Sequence, residues 1–159
     1  MAPETDTLAD DELLIERVFE APRALVWRIW ANREHMIRWL GPTDFACTHL
    51  EMDFRPGGKW RACIVSDEYG ENWMGGEYRE IEPERRIVYT FAWDEESGEP
   101  HETLVTVTFE DAGEGRTKQR FHQTPFTSVE SRDSHIGGWS ECFEREAAYV
   151  ERLARKERA

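Results

Sequence analysis

Cysteine is scarce in this 159-residue chain, and Cys47, Cys63 and Cys142 show no CxxC or CxxH pairing. A disulfide framework or a zinc site is therefore excluded as the organising device, and a reducing cytoplasm fits best. Positive charge is in deficit, with 20 basic against 33 acidic side chains and a formal net charge of −13. A nucleic-acid groove or an anionic-membrane face needs clustered positive charge, so neither partner is expected. No apolar run approaches the roughly 18 residues of a membrane span. The opening MAPETDTLADDE is acidic, unlike a secretory leader. Catalytic signatures are missing too: there is no HExxH, no G-x-S-x-G, no Walker loop and no GxGxxG ahead of a helix. The histidines His35, His49, His101, His122 and His135 are scattered, so neither a metal nor a cofactor is expected.

Aromatic residues, by contrast, are plentiful: seven Trp, four Tyr and eight Phe. They are enough for a large core and for the walls of a cavity within it. Residues 1–10 lack periodicity and read as a disordered leader, which leaves 11–159 as one domain. Glu12–Glu20 alternates, with Leu13, Ile15, Arg17 and Phe19 on one strand face. Pro22 opens a helix carrying Leu25, Val26, Ile29 and Trp30, and Asn32 is placed to cap a second, short one. Strands are expected over 45–54, 58–67, 72–82, 86–93, 102–110 and 116–124, separated by Gly-, Pro- and Asp-rich breaks. Connections this short make an antiparallel meander.

The chain then changes period. A long helix is expected from about Ser128 to Lys156, opened by a Thr127/Glu130 capping box. With Trp139 at zero on a helical wheel, Ile136, Phe143, Val150 and Leu153 fall within about 60° of it, an inner stripe that packs on the sheet. Two features interrupt that stripe. Gly137-Gly138 costs the helix about 2 kcal/mol against two alanines, which implies a kink or a close approach to the sheet. Glu146, at about −20°, sits in the middle of the apolar face. A carboxylate there must be hydrated, paired with an Arg such as Arg61 or Arg120, or protonated.

One strand, two short helices, six strands and a final helix make an α+β helix-grip order. Several segments also resemble a known family. They are Glu20-Ala21-Pro22-Arg23 with Val26-Trp27, Trp39-Leu40-Gly41-Pro42, Asp53-Phe54-Arg55-Pro56-Gly57-Gly58-Lys59-Trp60, Gly76–Ile81 with Pro83–Arg86, and Gly138-Trp139. These are similar to the signatures of the activator of heat-shock protein 90 ATPase homologue-like group of the START-like (SRPBCC) superfamily, over residues 12–155. The resemblance implies a seven-stranded curved antiparallel sheet gripping the last helix, with a cavity between them. Within DFRPGGKW, Pro56 and the two glycines suit a tight reversal, and Asp53 and Arg55 share a face on which an ion pair can brace it.

The expected function is binding of a small hydrophobic or aromatic molecule in that cavity, by a monomer or homodimer. Candidate lining residues are Trp39, Trp60, Trp73, Tyr78, Tyr89, Phe91, Phe121, Trp139, Phe143 and Glu146. Two alternatives follow from the same resemblance. One is an enzyme of polyketide cyclase/dehydratase or hydrolase type, with Glu146 as acid or base. The other is a co-regulator of a chaperone ATPase, although this single domain lacks the additional N-terminal domain of the eukaryotic co-chaperones.

Overall fold

Turn-forming residues mark the ends of the strands, and alternation decides which face of each strand is buried. In the computed structural model, residues 8–98 and 100–158 are described, so most of the expected leader lies outside them. The elements run β1 (Leu13–Phe19), α1 (Arg23–Ala31), α2 (Arg33–Met36), β2 (Ala46–Met52), β3 (Lys59–Ser66), β4 (Gly70–Glu82), β5 (Arg86–Trp93), β6 (Thr103–Asp111), β7 (Thr117–Thr124) and α3 (Val129–Arg158). The seven strands form one antiparallel sheet in the order β1-β7-β6-β5-β4-β3-β2. β2 to β7 are thus the expected meander, and β1 closes the far side on β7, from Leu13 opposite Gln123 to Phe19 opposite Thr117. Register shifts at Cys47/His49 and Tyr78/Glu80 bend the sheet around α3.

Strand alternation sends Ile87, Tyr89 and Phe91 of β5, and Val105, Val107 and Phe109 of β6, into the core. From the other side α3 contributes Trp139, Cys142, Phe143, Glu146, Ala147, Val150 and Ala154. Leu153, expected in this stripe, is only partly buried and Ala154 takes its place.

Local capping differs from expectation at two points. Asn32 precedes α2, but its side-chain amide donates back to the Arg28 carbonyl (2.9 Å) and so closes α1. At the start of α3 the capping hydroxyl is that of Ser128, which accepts from the Ser131 N–H at 3.0 Å, one residue beyond the expected box.

The DFRPGGKW turn has the expected form. Gly57 alone of its two glycines takes a positive φ, +84°. Gly58 is needed for space, since a Cβ there would lie 1.9 Å from the Asp53 carbonyl oxygen. The Asp53–Arg55 ion pair is formed at 2.9 Å, and both side chains are exposed.

Candidate functional site

An apolar hollow of about 430 Å³ lies between β4–β5 and the N-terminal half of α3. Phe91, Trp93 and Met74 form its sheet side, and His135, Trp139 and Cys142 its helix side. Phe91 and Trp139 meet edge to face across it, with ring centroids 5.9 Å apart.

The third wall is the segment after α2, from Leu40 to Phe45. Gly41 turns the chain here with φ +118°, a value that favours glycine. α3 then holds the segment in place. One guanidinium nitrogen of Arg145 donates to the carbonyls of Gly41 (2.8 Å), Pro42 (3.1 Å) and Phe45 (2.9 Å). The Thr43 N–H donates to Glu141 (2.9 Å), and the Gly41 N–H to the Cys142 sulfur (3.4 Å). Phe45 stacks on Tyr69 from the β3–β4 turn and completes the rim. Burial pushes the Cys142 thiol up to about 12, so it is a small, unreactive wall residue.

His135 faces both ways. Its Nε2 accepts from the Trp93 indole N–H (3.0 Å) and its Nδ1 donates to the Ser131 carbonyl (2.7 Å). An indole can only donate and a carbonyl can only accept, so this geometry selects the neutral ring with its proton on Nδ1.

A smaller chamber of about 30 Å³ lies deeper, among Trp30, Trp60, Tyr78 and Tyr89. Leu40, Met74 and Trp139 line both spaces and form the partition between them. The expected candidates therefore divide. Phe91 and Trp139 line the large hollow, while Trp60, Tyr78, Tyr89 and again Trp139 line the deep chamber. Trp39, Phe121 and Phe143 are fully buried and line neither. Trp73 lies on the face of the sheet away from α3, beneath the Arg61 guanidinium at 4.7 Å.

Glu146 also lines neither space. It is completely buried behind Trp30, whose indole N–H donates to it at 2.8 Å, while the Gln119 amide donates at 3.1 Å. The expected arginine partners are engaged elsewhere, Arg61 with Asp94 (2.6 Å) and Arg120 with Glu16 (2.7 Å). Burial without an adjacent cation raises the carboxyl to about 8, with the two donors pulling the other way. Turning the Gln119 amide over would place its carbonyl oxygen where it can receive the acid proton.

Several wall residues were not singled out from the sequence: Met74, His135, Phe45, Tyr69 and the clamp Arg145. For His135 a signal existed, since it lies about 40° from Trp139 on the same helix face. Gly138 lines the hollow as well, and a Cβ there would meet only Pro42, at 3.7 Å. The helix runs unbroken through Gly137-Gly138. The expected close approach to the sheet is not seen: an added Cβ at Gly137 would meet nothing within 4 Å, and nothing in the structure explains that glycine. Among the described residues no group of three His, Cys, Asp or Glu side chains could hold a metal ion. Among the same residues no helix is long and apolar enough to cross a membrane.

A curved antiparallel sheet gripping a long final helix is shared with solved structures. A protein from Chromobacterium violaceum is 27% identical, with a TM-score of 0.78 over 88% of this chain and 97% of that one. One from Rhizobium leguminosarum is also 27% identical, with a TM-score of 0.74 over 89% and 94%. The AHSA1 protein of Silicibacter pomeroyi shares the fold at 20% identity, with a TM-score of 0.77 over 86% and 95%. Residues 20–151 match the family model described as activator of Hsp90 ATPase homolog 1-like protein. The chain belongs to that family. Its fold is the START-like helix grip, in general a ligand-binding scaffold. No curated protein matches the chain significantly.

Proposed function

We propose that the protein binds a small apolar or aromatic molecule in the hollow between β4–β5 and α3. The observation that carries this reading is the hollow itself. Its volume of about 430 Å³ falls within the usual range for small-molecule sites, and aromatic walls from three separate elements converge on it. Close-packed cores do not retain such volumes. Here the Arg145 clamp fixes the Leu40–Phe45 wall to α3, and that wall bounds the space. The net charge of −13 disfavours anionic ligands. Glu146 and its partner Trp30 lie outside the hollow, so the carboxyl does not touch the ligand.

Titration with N-phenyl-1-naphthylamine, a neutral apolar fluorophore, tests the reading. Saturable emission at one site is expected, together with a rise in melting temperature. At a hundredfold excess over Kd the ligand adds about 2.7 kcal/mol of stability. A flat titration with an unchanged melting temperature would refute it.

A further inference from the structure

The deep chamber differs from the hollow in one respect that bears on what the ligand is. Its walls are apolar except for three indoles and two phenols, and all three indoles have their N–H groups committed. Trp30 donates to Glu146 and Gln119, Trp60 to the Thr90 carbonyl at 3.0 Å, and Trp139 to the Gln123 amide oxygen at 2.9 Å. Tyr78 and Tyr89 are different. They are only 5% and 6% exposed, no protein hydrogen bond reaches either hydroxyl among the described residues, and each hydroxyl oxygen keeps a little accessible surface. A phenol O–H that has no protein partner and keeps accessible surface is free to donate to a water or to a ligand oxygen. Two such groups on one chamber, their rings 6.2 Å apart, make it a place for an oxygen.

We infer that the ligand is a neutral carbonyl compound whose apolar body fills the hollow and whose carbonyl oxygen passes the partition to accept from Tyr78 and Tyr89. This inference rests on the binding reading above. Size supports it: about 30 Å³ admits one water-sized group and excludes a ring. The partition supports it as well, because Met74 and Leu40 are flexible side chains shared by both spaces. Charge selects the oxygen's type. Burial holds both phenols well above their usual range, so they remain donors, and no cation lines the chamber to receive a carboxylate.

Three naphthalene probes of one shape test the inference: 6-acetyl-2-(dimethylamino)naphthalene, its parent 2-(dimethylamino)naphthalene and the corresponding 6-carboxylate. The wild type is expected to bind the ketone more tightly than the parent and the carboxylate least. Tyr78→Phe and Tyr89→Phe keep the rings and remove one donor each. Each is expected to weaken ketone binding about fivefold to tenfold, leave parent binding within about twofold, and shift the bound ketone's emission to the blue. Thermal melts of both variants check that the fold is retained. Ketone affinity and emission unchanged in both variants, or a carboxylate bound as tightly as the ketone, would overturn the inference and leave the hollow as a binding site. Failure of the wild type to bind any of the three would overturn both readings.

Discussion

Along its C-terminal half α3 buries Phe143, Glu146, Ala147, Val150 and Ala154, whereas its N-terminal half faces a hollow of about 430 Å³ in front of Trp139. Both halves present aromatic and apolar side chains to the same sheet. What differs is the lid. Over the C-terminal half α1 comes down on the helix, with Trp30 reaching Glu146, and β1 joins through the Arg17–Glu144 ion pair. Over the N-terminal half the cover is the Leu40–Phe45 segment, which Arg145 ties to α3 by its carbonyls. An inner stripe therefore predicts burial, but only the covering element decides between core and cavity.

The largest effect expected is at the closed end. Phe143→Ala removes a ring that is 1% exposed and packed on Phe121 and Trp139, and should cost about 3–5 kcal/mol in urea unfolding. A loss below about 1 kcal/mol would mean that this end is as loose as the other.

Glu146 gives the closed end a pH dependence. Burial raises its carboxyl from 4.5 to about 8, so the folded chain binds the proton more tightly than the unfolded one. Its contribution is fully present below the unfolded value and is lost as pH rises through the folded one. At pH 7 the loss is on the order of 3 kcal/mol. Glu146→Gln, which copies the donor and acceptor of the protonated acid, should flatten this slope. It should stabilise at pH 8 and change little at pH 5. An unchanged slope would show that the carboxyl is hydrated.

The remaining two predictions concern the open end. Arg145→Leu leaves three carbonyls without their shared cation and should cost about 2 kcal/mol while collapsing the hollow, so N-phenyl-1-naphthylamine binding falls with stability. Gly138→Leu should separate the two. It replaces glycine in a helix interior and gains up to about 1 kcal/mol, with its Cβ in ordinary contact with Pro42. The longer side chain occupies the hollow, so probe binding should fall at least about tenfold, the scale of 1.4 kcal/mol. Binding retained in Gly138→Leu would place the ligand elsewhere.

How much of this was legible in the sequence follows from the range of the interactions. The strands and α3 were legible to within a few residues, because alternation and the 3.6-residue stripe are local patterns and the breaks carry their own turn residues. Glu146 was legible as an anomaly on the inner face, but its partners were not. A charge in a stripe suggests an opposite charge, whereas the structure uses the neutral Trp30 and Gln119, 116 and 27 residues away in the chain. The Arg145 clamp was invisible for the same reason: it acts on backbone carbonyls about a hundred residues distant, which carry no side-chain signature. Of the aromatic candidates, the sequence could not tell Phe143 from Trp139. Both are on the stripe, and only the lid makes one a core residue and the other a wall.

Those lids can be read directly from the indole N–H resonances of the seven tryptophans in a two-dimensional NMR spectrum recorded while 6-acetyl-2-(dimethylamino)naphthalene is added. The Trp93 and Trp139 signals should shift most, since their rings line the hollow, while those of Trp39, fully buried away from it, and Trp73, outside the sheet, stay in place. Shifts centred on Trp39 or Trp73, with Trp93 and Trp139 unmoved, would contradict the assignment of the open end of the grip as the binding site.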